Sequence, residues 1–497
     1  MDMDVHSSCS QVHIRPDTLY GKTLSALKWS GLAQLARQLL QFIVSVILAR
    51  LLSPTDFGLI GMIVIFTGFA RQFQDLGFGA ALIQRGDVSD DHLNAAFLLN
   101  IFSGVLLTGV FMFISGALSR FYNEPILKML TMVVGTNFVI VSFTIVQNAL
   151  LQRKMDFQRI AKIEIVSILV SGITGIVMAL LGLGVWSLAG QSVVFTMVSS
   201  SLTWRYTPWK VHLSFNMNAA TELSHFALNL MGFNIFNYWA RNADNFLIAK
   251  ILGAPSLGIY SRAYTLMMIP ITQLTGFVSQ VMFPALSSIQ NDRERIRRVY
   301  LRVTRLIAVV TCPIVMLLFV VAESFVHVIY GEKWGDAVPI FRILCITGIL
   351  QGVGSTVGWI YTALGRTNLM LKWGIFSGTV YILSFCVGIR WGLLGIATAY
   401  VVSGYMILWY PSWEIPGRLI NLSFVDMFKN VAGSLFCSLL MSFGIWLFST
   451  MLPHALPEWL RLLIQILSGI SIYIALINMF NLKAYQEIKS LRTSTHA

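Results

Sequence analysis

The sequence predicts an all-α polytopic membrane protein of about fourteen transmembrane helices: two parallel six-helix pseudo-repeats and two peripheral helices. Three observations predict it. Of 497 residues, 56% are hydrophobic and only 11% charged. Apolar runs long enough to cross a bilayer, about 20 residues each, recur from Trp29 almost to the C-terminus. Finally, ILARLLSPTDFGL, from Ile47 to Leu59, returns 200 positions later as LIAKILGAPSLGI, from Leu247 to Ile259. A second echo, GVWSLAGQSVV from Gly184, reappears 208 positions on as GLLGIATAYVV from Gly392. Two echoes in one order at nearly one spacing point to a duplicated unit, and paired membrane bundles are a common transporter architecture.

The elements follow in order. Residues 1–23 form a polar tail without the charged-then-apolar pattern of a cleaved signal peptide, so the first apolar run is expected to remain as a helix. Spans are expected around Gln41, Gly68, Val105, Phe138, Ser171 and Thr196, giving an N-lobe over 24–206. A short, moderately polar connection from Tyr206 to Ala220 leads to spans around Phe236, Thr272, Val310, Ile349, Thr379 and Val401, a C-lobe over 222–412. Spans thirteen and fourteen, around Ser442 and Ile470 within 428–481, fall outside the duplication, and 482–497 is a polar tail. Six spans per unit is an even number, so both units enter the membrane in the same direction, with a cavity where they face. With both termini inside, about 23 of the 35 Lys and Arg residues fall on the inner side, about 9 outside and three within spans. That asymmetry follows the positive-inside rule and places both termini in the cytoplasm.

The three arginines within spans are Arg37, Arg71 and Arg241. Each costs about 2.5–3.5 kcal/mol if it faces lipid at mid-bilayer. Their neighbours indicate where they point instead. Gln34, Arg37, Gln38 and Gln41 form one helical stripe, and Asn234, Asn237, Arg241 and Asp244 form another. Under the 200-residue offset Arg241 aligns with Gln41 and Arg37 with Asn237. Arg37, Arg71, Arg241, Gln41 and Asn237 are therefore expected to line an anion-binding cleft between the halves, because a guanidinium fork suits phosphate oxygens. Asp75, four residues from Arg71, and Asp244, three from Arg241, stand at helical neighbour spacing and are candidates for ion pairs or for coupling to an ion gradient. Such a pair at 4 Å gains about 4 kcal/mol at an effective dielectric near 20, comparable to one insertion cost. Arg37 has no acidic residue within a turn and reads as unpaired. The echoed segments ending at Leu59 and Ile259 read as lobe-edge turns rather than as part of the site.

The remaining features carry less. Cys9, Cys312, Cys345, Cys386 and Cys437 lack CxxC spacing and read as small hydrophobes. The eight histidines are without metal-ligand spacing, and no nucleophile elbow, phosphate loop or HExxH motif occurs. Glu164 and Glu323, near span ends, read as snorkelling to water. The net charge of +13 concentrates at Arg293, Arg295, Arg297, Arg298, Arg302 and Arg305, a topology anchor or a dock for membrane lipid headgroups. No aromatic interleaving accompanies these charges, which argues against nucleic acid.

The segments ILARLLSPTDFGLIGMIVIF, NADNFLIAKILGAPSLGIYSRAYTLMMIP and FPALSSIQNDRERIRRVYLR resemble the Wzx-type polysaccharide and lipopolysaccharide exporters. These are oligosaccharide flippases of the superfamily that also holds the MATE drug exporters and the peptidoglycan-precursor flippases. The resemblance runs from about Gly21 through span fourteen, is strongest at spans one and two and at Asn242 to Pro270, and is greatest to the colanic-acid exporter branch. It implies a MATE-like pair of lobes around a cavity. It also implies transfer of a lipid-linked oligosaccharide on undecaprenyl diphosphate across the bacterial inner membrane by alternating access. Arginines on spans one, two and the early second lobe are implied to engage the diphosphate, and Arg37, Arg71 and Arg241 occupy those spans. It implies no enzyme activity, no cofactor beyond a coupling H+ or Na+, and a glycan polymerase or export machinery as partner.

Two other readings stay open at this stage. A MATE-like drug or metabolite antiporter for cationic cargo would favour acidic and aromatic cavity residues over three arginines. A membrane glycan polymerase or ligase would need a sizeable outer loop, and the longest outer connection here runs only from Glu323 to Asp336.

Overall fold

Backbone amides have no water to bond in hydrocarbon, so each apolar run must satisfy its own hydrogen bonds as a helix. The computed structural model of the protein describes residues 16–74, 78–84, 88–207, 209, 211, 217, 236–453, 456–480 and 486, and among them there is no strand. The first half of the chain comprises α1 (Pro16–Leu51), α2 (Pro54–Gln74), α3 (Phe78–Gln84), α4 (Asp90–Tyr122), α5 (Ile126–Ser142), α6 (Ile145–Arg153), α7 (Phe157–Leu180) and α8 (Trp186–Tyr206). A helix described over 236–251, α9, opens the second half. It is followed by α10 (Gly253–Ser287), α11 (Arg293–Val320), α12 (Ala322–Tyr330), α13 (Ala337–Gly354), α14 (Val357–Ala363) and α15 (Thr367–Gly388). The chain closes with α16 (Gly392–Val402), α17 (Trp409–Arg418), α18 (Phe424–Met451) and α19 (Glu458–Met479).

The chain is thus an all-helical, multi-pass membrane protein. Each of the fourteen expected centres lies in a helix. By length and hydropathy alone, nine helical runs among the described residues qualify to cross a membrane, or ten if α5 and α6, bent by 47°, form one broken span. The difference has local causes. The run from Thr367 to Arg418 holds two of the centres. It folds back between α15 and α16, where a Cβ on Gly388 or Gly395 would strike the other's backbone. The centres at Thr196, Phe236 and Thr272 lie in α8, α9 and α10, which fall outside that count of the described residues.

Packing within the first half joins α1 to α7, α4 to α5 and α7 to α8; within the second, α13 packs on α10, α11 and α16, and α18 joins α11 to α19. The halves meet chiefly where α2 crosses α10. The largest buried apolar cluster sits there, drawing Leu48, Phe57 and Met62 from one half and Ile248, Leu257 and Tyr260 from the other. The crossing is backbone on backbone. A Cβ on Gly58 would overlap the carbonyl of Ala254, and one on Gly258 would overlap the carbonyl of Pro54. These positions are 200 apart in both pairs, so the echoed segments, each of which holds the turn between two helices, also form a two-fold related contact. The expectation of turns is extended rather than replaced: the small residues recur because the helix backbones must touch just past each turn.

Overpacking costs about 1–3 kcal/mol, so Gly258→Ala is expected to lower the thermal unfolding temperature of the detergent-purified protein. Gly276→Ala, on the same helix with open space around it, is expected to leave that temperature unchanged or raise it. Equal shifts in the two variants would contradict the tight crossing.

Candidate functional site

Helix α9 concentrates polar residues in an apolar chain, and the structure gives them two cavities. One, of about 510 Å³, lies within the second half between α9, α10, α13, α15, α16 and α17. The other, of about 570 Å³, lies between α9, α10 and the C-terminal end of α2, where it reaches Gln72. Asn237 and Arg241 line both and stand at their junction. Arg241 is exposed there and forms no ion pair among the described residues. Asp244, one turn on, is only 7% exposed. It turns away from Arg241, accepting hydrogen bonds from the Tyr260 hydroxyl at 2.9 Å and from the Asn245 backbone N–H at 2.8 Å. The helical spacing that suggested an Arg241–Asp244 pair thus yields a carboxylate held by a tyrosine of α10 instead.

Arg37 departs further from the sequence reading. Its guanidinium pairs with Glu164 of α7 and donates to the side chain of Gln34. A search within one turn of the same helix could not find Glu164, because α1 and α7 meet only in the tertiary structure. Glu164, expected to reach for water, instead neutralises an arginine. Arg37 and Gln41 line neither cavity, and Gln41 is exposed. Arg71 is exposed beside Gln72, without an ion-pair partner among the described residues. Asp75 lies outside the described residues. The structure therefore brings together Asn237, Arg241 and Asp244, sets Arg71 next to the second cavity and separates Arg37 and Gln41 from it.

Sequence reasoning missed a fourth arginine, Arg262 on α10. It donates to the Ser45 hydroxyl of α1 at 3.0 Å and lies 4.0 Å from the ring centre of Phe57 on α2, a cation–π contact between the halves. Two more cations bridge the halves reciprocally. Arg50, at the end of α1, donates to the carbonyls of Val328 and Ile329 at the end of α12. Lys250, its counterpart 200 residues on, donates to the carbonyl of Phe121 at the end of α4 and covers that ring at 4.1 Å. The indole of Trp334 donates to the Ala49 carbonyl at 2.9 Å. Each donor meets carbonyls that a helix C-terminus leaves unpaired, where the helix dipole favours positive charge. The signal available in the sequence was the echo itself, Arg50 returning as Lys250.

Below the crossing lies an aromatic layer. Phe66 and Phe69 of α2 meet Trp239 of α9 edge-on or tilted, at centroid distances of 6.4 and 5.2 Å. Tyr238 donates to the Ile65 carbonyl at 2.7 Å. In order along α2, the glycine crossing, the aromatic layer and the polar cavities succeed one another. The halves are joined at one end, and the polar volume lies toward the other.

Two halves joined across a two-fold related crossing, with polar cavities between membrane helices, are an arrangement suited to a transporter. A family model described as polysaccharide biosynthesis protein matches residues 47–339. The chain belongs to the polysaccharide biosynthesis protein family. It is similar to the lipopolysaccharide biosynthesis protein WzxC of Escherichia coli K12, 27% identical over 86% of this chain and 85% of that protein. It is also similar to the teichuronic acid biosynthesis protein TuaB of Bacillus subtilis 168, 28% identical over 94% and 96%. Among solved structures, the lipid II flippase MurJ in an inward closed conformation matches 92% of this chain and 99% of its own with a TM-score of 0.73. At 15% identity that match shows a shared fold.

If Arg37 and Glu164 serve each other, removing one should cost more than removing both. The pair is partly exposed, so Arg37→Gln alone and Glu164→Gln alone are each expected to lower stability by about 1–2 kcal/mol. The double variant should recover most of that loss in thermal unfolding. Additive losses would contradict the pairing.

Proposed function

We propose that this protein is a flippase that carries a lipid-linked oligosaccharide, on undecaprenyl diphosphate, across the bacterial inner membrane for surface polysaccharide biosynthesis. Transport is by alternating access, from the cytoplasmic to the outer leaflet, with both termini cytoplasmic. In this reading residues 24–206 and 222–412 act as two lobes, and 428–481 as a peripheral pair. The observation that carries the proposal is Arg241, an exposed guanidinium at the junction of two cavities between membrane helices. A diphosphate brings two closely spaced anionic groups into a low-dielectric region, and a fixed cation lowers that cost. Arg71, beside Gln72 of the second cavity, is the nearest further cation on α2 in sequence and is assigned to the same anion. The polyprenyl tail stays in lipid while only the charged, sugar-bearing head follows the polar route.

Binding alone cannot drive net transport, since a ligand shifts an equilibrium only by its differential affinity for the two states. Asp244 is assigned the coupling role, exchanging H+ or Na+ as the halves reopen. Its buried position beside the cavity with Arg241 supports the assignment. With the positive-inside assignment, the crossing of α2 and α10 is the outer closure and the cavities open to the cytoplasm. Glycan polymerase and export machinery are the expected downstream partners.

The test is complementation of a flippase-deficient strain. A charge-assisted contact is worth about 1.5–3 kcal/mol, or roughly 10–100-fold in affinity. Arg241→Ala is expected to reduce surface polysaccharide by at least roughly tenfold, with membrane levels of the protein unchanged, and Arg241→Lys to retain part of the activity. Full complementation by Arg241→Ala would overturn the anion-site reading.

A further inference from the structure

The 510 Å³ chamber beyond Arg241 differs in chemistry from an anion site. Arg241 is its one cation, shared with the second cavity, and the rest of the lining combines aromatic rings, hydroxyls and amides with aliphatic side chains and glycines around the Asp244 carboxylate. Its size falls within the range of about 300–1,000 Å³ that encloses small organic ligands, far more than a metal ion or proton relay requires. We propose that this chamber is the saccharide subsite, holding the first sugar residues while the diphosphate sits at Arg241. The inference rests on the lipid-diphosphate reading above and adds where the sugar goes and which residues recognise it.

Three independent observations support it. Trp373, Trp409 and Trp413 all line the chamber. Tryptophans near the end of a transmembrane helix ordinarily form a lipid-facing belt, but Trp413 is only 3% exposed and turns inward. Trp409 lies one turn before it, with ring centres 5.7 Å apart. A pyranose presents a face of polarised C–H bonds, which the electron-rich face of an indole attracts. Second, the Thr347 hydroxyl and the Trp409 indole N–H are buried and have no hydrogen-bond partner among the described residues. Buried polar groups are rarely left so, and both residues line this chamber, where sugar hydroxyls supply donors and acceptors together. Third, the chain from Ser403 to Leu408 runs as a π-helix between α16 and α17 and brings Gly404 and Leu408 to the chamber wall. Such wide turns disfavour regular helix packing and recur at functional sites.

The arrangement also orders the headgroup. Asn237 and Arg241 face both cavities, so a diphosphate held there leaves its lipid side toward α2 and its sugar side toward Trp373 and Thr347. Gln351 is fixed inside the chamber by donating to the Tyr400 hydroxyl at 2.6 Å. A preset amide of this kind reads hydroxyl positions at little ordering cost.

The experiment compares two probes on the full-length protein in lipid nanodiscs: undecaprenyl diphosphate, and undecaprenyl diphosphate bearing one N-acetylglucosamine. The wild-type protein is expected to bind the sugar-bearing probe roughly tenfold more tightly, about 1.4 kcal/mol. Thr347→Val, nearly equal in volume, and Trp373→Phe are both expected to bring that ratio toward one while keeping the affinity for the bare probe. Arg241→Gln should weaken both probes and preserve the ratio. Monodisperse elution and an unchanged unfolding temperature qualify each variant, and either of the two chamber variants suffices. Equal wild-type affinities, or chamber variants that weaken both probes in parallel, would overturn the saccharide subsite. Absence of binding by both probes would overturn the diphosphate reading, and the subsite with it.

Discussion

The contact on which the rest of this structure depends is the approach of two helix backbones at Gly58 and Gly258. Without a Cβ at either position, α2 and α10 meet carbonyl against Cα, closer than any side chain permits. That approach brings Phe57 within reach of Arg262 and Ser45 within its hydrogen-bond range. It sets α9 beside α2, so that Tyr238 finds the Ile65 carbonyl and the aromatic layer closes. It also joins the two halves at one end and leaves the polar residues of α9 facing open volume toward the other. An alternating-access cycle would have to separate this contact and the largest buried apolar cluster around it. The surrounding cations add a few polar bonds to carbonyls of the opposite half.

Charge placement follows from the same geometry. Every cation in or near the membrane costs energy unless something compensates it, and here the compensations differ by position. Arg37 has the Glu164 carboxylate. Arg262 has an aromatic face and a hydroxyl. Arg50 and Lys250 have the carbonyl ends of helices from the opposite half, so their charges are spent on the closure. Arg71 and Arg241 have no ion-pair partner among the described residues, and they lie on two of the three helices that border the second cavity. Among the described residues, Arg241 thus presents a cation to both cavities.

Much of this architecture was legible in the sequence because membranes impose simple rules. Hydropathy marked helices at every expected centre, and the 200-residue echo identified related positions before any contact was known. The polar stripe of Asn237, Arg241 and Asp244 does face a cavity. What escaped were the contacts between elements remote in the chain. Arg37 looked unpaired because its carboxylate is on α7, more than a hundred residues away. Asp244 was assigned to Arg241 by helical spacing, whereas Tyr260 holds it. Arg262 passed unnoticed because two of its partners, Ser45 and Phe57, belong to the other half. The echoed segments read only as turns because small residues and prolines serve turns and close crossings equally well; the structure shows both, the turn before Pro54 and the crossing at Gly58.

The central claim, transfer of a lipid-linked saccharide between leaflets, is tested most directly by reconstitution. Proteoliposomes would hold undecaprenyl diphosphate bearing N-acetylglucosamine, with a membrane-impermeant glycosidase or lectin reporting the outer leaflet. The account predicts that the protein raises the accessible fraction with time above that of protein-free liposomes, and that an excess of undecaprenyl diphosphate slows the rise. An accessible fraction that stays at the protein-free level, with correctly inserted and monodisperse protein, would contradict it.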